Sequence, residues 1–126
     1  MKRALISLFA VMVLIAALPV SASHVTQMWK CEMNDDIDED QVMGHIGEWV
    51  AAAKKLPGAE NMSISVRFPV AVRPVGNTDV VLVMNVPSFA EWGAFWDAYP
   101  ESDAAGMEGR ALTCPDSSLW ETEKVE

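Results

Sequence analysis

Apolar residues run almost unbroken from Ala4 to Leu18, and the rest of the chain breaks into shorter patterned stretches. Val25 to Met33 alternates, with Val25, Gln27, Trp29, Cys31 and Met33 on one face, and predicts a first strand. An acidic run, Asn34 to Asp40, leads into a helix predicted from about Ile37 to about Leu56. Asp36 with Glu39 has the spacing of a capping box, and Val42, Ile46, Trp49, Val50 and Ala53 make one stripe at helical period. Lys54 and Lys55 fall in the last turn, and Pro57-Gly58 stops it. Met62 to Val72 alternates again, and Pro69 favours an edge position because it has no backbone donor. Arg73 to Thr78 reads as a turn. Asp79 to Val86 is apolar on both faces, which predicts a central strand covered on both sides. Ser88 with Glu91 opens a second helix with an aromatic surface (Phe89, Trp92, Phe95, Trp96, Tyr99), which Pro100 closes. A last short strand around Ala111 to Cys114, Pro115, and an extended piece at Ser118 to Glu121 complete the order.

The long apolar stretch changes the picture of where the chain works. Met1-Lys2-Arg3 precedes it and Pro19-Val20-Ser21-Ala22 follows it, the layout of a signal peptide cleaved after Ala22. Residues 23–126 then form a single domain, periplasmic or secreted, with the short leader favouring the periplasm. Loss of Lys2 and Arg3 from nine basic residues leaves seven against eighteen acidic ones, a net charge of −11. Nucleic acid and anionic lipid both require counter-charge, so neither is an expected partner, and no membrane association is expected after cleavage.

Strand, helix, strand, strand, helix, strand is the order of a ferredoxin-like βαββαβ fold, an α+β architecture with an antiparallel sheet and two helices on one of its faces. Its first and last strands are antiparallel neighbours. The two cysteines of the chain, Cys31 and Cys114, lie in those strands. An isolated pair in an oxidising compartment predicts one disulfide, and the topology supports it independently. Neither cysteine belongs to a C-x-x-C motif, and neither has a histidine near it in sequence. Because the third strand is apolar on both sides, the helix-free face needs a cover, and a second copy of the same sheet is the simplest one.

This pattern resembles the dimeric α+β barrel superfamily, which includes the antibiotic biosynthesis monooxygenase-like (ABM) proteins. More narrowly, it is similar to small secreted bacterial members of unknown function. The residues that carry the resemblance are Cys31 ahead of the acidic helix start at Asp40, Trp49 in the first helix, the segment from Pro87 to Trp96, and Cys114. The resemblance implies the fold and a homodimer through the helix-free sheet face. Haem-degrading members carry a histidine ligand on the second helix, whereas Phe89 to Tyr99 contains none. Chlorite dismutase-like members use a proximal histidine in a larger chain, and stress-responsive members are not secreted.

Candidate chemistry is sparse. No metal and no cofactor is expected. The acidic run fails the calcium-loop pattern in both registers, because neither places glycine sixth and glutamate twelfth. There is no G-x-S-x-G, no H-E-x-x-H and no glycine-rich phosphate loop. Trp92, Phe95, Trp96 and Tyr99, with Trp49 and Trp29, could line an aromatic cavity between helices and sheet; the simpler reading is that they fill the core. His45 is the one candidate catalytic group, as a base facing that cavity, against a plain reading as a partly exposed histidine beside the core stripe. Arg67 could hold a ligand carboxylate or pair with an acidic group across a dimer. The expectation is a disulfide-stabilised, dimeric binder of a small apolar or aromatic molecule. The alternatives are a cofactor-independent monooxygenase-like enzyme acting on an aromatic substrate, and a protein–protein interaction module.

Overall fold

A computed structural model describes residues 24–71, 78–123 and 125. The expected leader and its cleavage site, Val72, and the expected turn apart from Thr78 lie outside the described residues. The elements are β1 (His24–Met33), α1 (Glu39–Ala53), β2 (Ser63–Arg67), β3 (Val80–Val86), α2 (Phe89–Ala98) and β4 (Leu112–Thr122). Two short 3-10 turns, Tyr99–Glu101 and Ala105–Met107, lie between α2 and β4. The sheet order is β2-β3-β1-β4, with every neighbouring pair antiparallel. This is the ferredoxin-like α+β fold.

Alternation decides which side of the sheet each residue serves. Val25 and Cys31 of β1 and Val80, Met84 and Val86 of β3 are buried on the helix side. Phe95 of α2 and Val42 and Ala53 of α1 press onto that side and are fully buried. Burial of a side chain of that size contributes about 1.5–3 kcal/mol, so these few positions supply much of the drive to fold. The opposite face carries Thr26 and Met28 of β1, Val81, Val83 and Asn85 of β3, and Ser63, Ser65 and Arg67 of β2, by the cross-strand register. No helix covers it among the described residues.

Several boundaries differ from the pattern reading, each for a local reason. The N-cap of α1 is Asp38: its carboxylate accepts from the Gln41 backbone at 2.8 Å, and the Gln41 side chain accepts from the Asp38 backbone at 3.0 Å. Asp36 sits instead in the left-handed region, with φ 63°, in the turn ahead of the helix. β2 stops at Arg67 rather than running to Val72, because Phe68 precedes a proline and Pro69 has no N–H to pair with β3. β4 is one strand rather than two. Between the pairs Lys30–Asp116 and Glu32–Thr113, the two residues Cys114 and Pro115 face the single residue Cys31. That extra residue forms a bulge, and on an edge strand a bulge accommodates the proline without losing a ladder bond. His24 is also within the sheet, paired with Thr122.

Gly58, just beyond α1, is where the first helix meets the second. Its φ is +78°, and a Cβ there would collide with the Glu91 backbone carbonyl in the first turn of α2. Gly58→Ala is therefore expected to lower stability by about 2 kcal/mol in urea denaturation, through strain and steric contact together. A loss below 0.5 kcal/mol, on that order-of-magnitude scale, would show that the two segments can separate freely.

Candidate functional site

The aromatic residues of α2 divide by function once they meet the sheet. Phe95 is fully buried and packs edge-on against Trp96, with ring centroids 5.1 Å apart. Tyr99 stands 5.4 Å from Phe95 and 4.8 Å from Trp96. Trp29 of β1 and Trp49 of α1 complete the cluster at 6.1 Å from Trp96 and 6.1 Å from Tyr99 respectively. These are the spacings of tilted and edge-to-face ring pairs.

Hydrogen bonds lock the cluster. Gln27 of β1 accepts from the indole N–H of Trp92 at 2.8 Å and from that of Trp96 at 3.0 Å. One amide oxygen thus ties two turns of α2 to the centre of the sheet. Tyr99 accepts from the Trp49 indole N–H at 3.0 Å, which ties α1 to the end of α2. Burial pushes the Tyr99 phenol well above its ordinary pKa, and the adjacent Glu108 carboxylate pushes it further, against the Trp49 hydrogen bond. The phenol is therefore protonated at every physiological pH.

Beside this cluster a cavity of about 630 Å³ lies between α1, the helix side of the sheet and the segment from Met107 to Cys114. Trp29, Trp49, Trp96 and Tyr99 form its aromatic wall, and Ile46, Ile64, Leu82 and Leu112 its aliphatic lining. His45, Glu108, Arg110 and Thr113 supply the polar edge, and Cys114 of the disulfide also borders it. His45 reaches the cavity because it lies one helical turn before Trp49 on α1. Arg110 is partly committed, its guanidinium donating to the Gly106 carbonyl at 3.0 Å.

Of the residues singled out in the sequence, Trp29, Trp49, Trp96, Tyr99 and His45 meet at this cavity. Phe95 and Trp92 do not line it: Phe95 lies beneath in the core, and Trp92 is held away by Gln27. Arg67 is on the other side of the sheet, so it cannot serve a ligand in this cavity. It borders a shallower hollow of about 460 Å³ on the helix-free face, with Thr26, Met28, Val83, Asn85 and Trp120. Gln27 and Glu108 are not picked out as site residues by pattern. Gln27 did carry a signal, being the one polar residue on an otherwise apolar strand face opposite a tryptophan-rich helix. Among the described residues no group of three or more His, Cys, Asp or Glu side chains converges as a metal site.

No protein-family model matches the sequence, and no curated protein matches it. Solved structures do match in shape. At3g17210 from Arabidopsis thaliana superposes with a TM-score of 0.57 at 8% identity, over 82% of this chain and 96% of that one. TA0507, provisionally named a chlorite dismutase, superposes with a TM-score of 0.53 at 13% identity, over 81% of this chain. The match spans 46% of TA0507's length. Both likenesses concern the fold alone, and they place this chain among proteins of ferredoxin-like architecture.

Proposed function

We propose that this chain is an exported homodimer of the dimeric α+β barrel type that binds a small apolar or aromatic molecule in the cavity beside Trp49. The observation that carries the reading is the aromatic wall of that cavity, four rings bordering about 630 Å³ with few polar groups and those at one edge. Small-molecule sites typically enclose about 300–1,000 Å³ and combine an apolar lining with a few convergent polar groups. Export is supported by the leader pattern and by the Cys31–Cys114 disulfide, a cross-link suited to an oxidising compartment. The homodimer is supported by the apolar residues that β1, β3 and β4 leave partly or largely exposed on the helix-free face, Met28, Val81 and Trp120.

Native mass spectrometry of the mature protein purified from its own compartment tests the reading directly. The expected result is a dimer carrying one small-molecule mass per protomer. Fluorene, a planar hydrocarbon, should quench the tryptophan emission and raise the melting temperature, by about 2.7 kcal/mol of added stability at 100 times its Kd. Ile46→Trp, which fills the cavity from α1, should weaken that binding at least tenfold, to order of magnitude. Equal binding by the filled variant would remove the cavity from consideration.

The monooxygenase-like alternative is supported by one observation, the presence of His45 at the same cavity. It requires oxygen consumption with an aromatic substrate that His45→Ala abolishes while the melting temperature is kept. Binding without turnover rejects it. A protein–protein interaction module would instead be monomeric when purified alone.

A further inference from the structure

Resting on the reading of the cavity as a ligand site, we infer that its ligand is a planar aromatic molecule bearing a carbonyl-type acceptor oxygen, held by a hydrogen bond from the Tyr99 hydroxyl. A phenol has one O–H to give and two lone pairs with which to accept. The Trp49 indole can only donate, and it occupies one lone pair of Tyr99 at 3.0 Å. The Tyr99 proton therefore points away from Trp49. Its other neighbour is Glu108, which is exposed and borders the cavity together with Tyr99. In the empty site that carboxylate is the natural acceptor, and it can turn to solvent without leaving a buried charge behind. An acceptor oxygen on the ligand then takes its place.

The surrounding groups narrow the ligand class further. The indole N–H of Trp96 is spent on Gln27 and that of Trp49 on Tyr99, so both rings offer the cavity a π surface without a free donor. A stacked aromatic body fits such walls. A ligand ammonium would meet the oriented Tyr99 proton donor against donor, and a ligand hydroxyl could accept it only by bringing a proton of its own that needs a second acceptor. A carbonyl brings an acceptor to the Tyr99 proton, whereas a pure hydrocarbon brings none and orphans that proton wherever it turns Glu108 aside. Burial keeps the phenol protonated, so this preference should not change with pH across the neutral range.

The test pairs 9-fluorenone with fluorene, which share a planar shape and differ in whether a carbonyl or a methylene bridges the rings. Equilibrium dialysis against the mature, disulfide-intact protein should show fluorenone bound at least about tenfold more tightly than fluorene, the effect of one net hydrogen bond together with the avoided orphan donor. Tyr99→Phe should bring the two affinities together, by weakening fluorenone and by removing the orphan-donor penalty from fluorene. Wild-type selectivity needs no variant, so the inference stays testable if Tyr99→Phe folds poorly. The infrared carbonyl band of bound fluorenone gives a second readout: it should move to lower wavenumber in wild type and return toward its value in hydrocarbon solvent in Tyr99→Phe. Equal affinities in wild type, or a carbonyl band unshifted on binding, would overturn the assignment to Tyr99 while leaving the cavity as the ligand site. Binding of neither compound would overturn the ligand-site reading as well.

Discussion

Replacing Cys31 and Cys114 together by alanine should lower the unfolding free energy by about 4 kcal/mol, the chain-entropy value for a cross-link closing a loop of this length. The two cysteines are 83 positions apart, so the bond joins the end of β1 to the beginning of β4 and encloses both helices and the two other strands. Their Cα atoms are only 4.0 Å apart, and the native fold already brings the strands together, since β1 and β4 pair from His24–Thr122 to Met33–Leu112. The main effect therefore falls on the unfolded chain, which without the bond gains the freedom of a loop spanning most of the domain. Domains of about 100 residues have only about 5–15 kcal/mol of stability, so the loss approaches half of it. The double variant is the cleaner choice because either single substitution leaves a free thiol able to couple two chains. Urea denaturation of the oxidised and double-variant proteins, with matching slopes, measures the difference. A loss of less than about 1 kcal/mol would mean that the unfolded chain stays compact enough to keep β1 near β4 without the bond.

The site was less legible in the sequence than the fold, and particular residues show why. The double-sided apolarity of Val80 to Val86 identified a central strand because each face repeats every second residue, a property local to seven positions. The stripe Val42, Ile46, Trp49 and Ala53 identified the buried side of α1 for the same reason. Boundaries were harder where several residues compete for one role. Asp36, Asp38, Glu39 and Asp40 all suit a helix start, and only the paired bonds between Asp38 and Gln41 decide it. Pro115 looked like the end of a strand, yet opposite Cys31 it becomes part of a bulge within a longer one. The cavity is a further step removed. Trp92 and Trp96 have the same composition signal, and Gln27, 65 and 69 positions away from them, holds both indoles while only Trp96 borders the cavity. The direction of the Tyr99 proton depends on Trp49, 50 positions away. Periodicity within one element carries no information about such pairs.

Trp120→Glu should convert a dimer into a monomer at micromolar concentration, weakening association more than about 100-fold. Trp120 lies on the helix-free face opposite Thr26 of β1, 54% exposed, with its indole N–H held by Ser118 at 2.8 Å. Its neighbours on that face include the partly exposed Met28 and the buried Val83, so the tryptophan adds exposed apolar area beside residues that are apolar already. In the homodimer proposed above, a two-fold axis would cover Met28 and Trp120 with the same surface from a second copy. The symmetry also doubles the damage: each dimer would receive two glutamates, each placed against an apolar patch. Because Trp120 is largely exposed in the single chain, the substitution should change the stability of the isolated protomer by less than about 0.5 kcal/mol, which separates lost association from lost folding. Met43→Glu is the matching control. Met43 is 51% exposed, equally apolar, and on α1, away from the sheet face, so it should leave association unchanged. Sedimentation velocity of the three proteins distinguishes the outcomes. A wild-type protein that is monomeric at micromolar concentration would exclude a second copy as the cover of this face and point to a different protein there. Equal dissociation of Met43→Glu would locate the contact on the helical side.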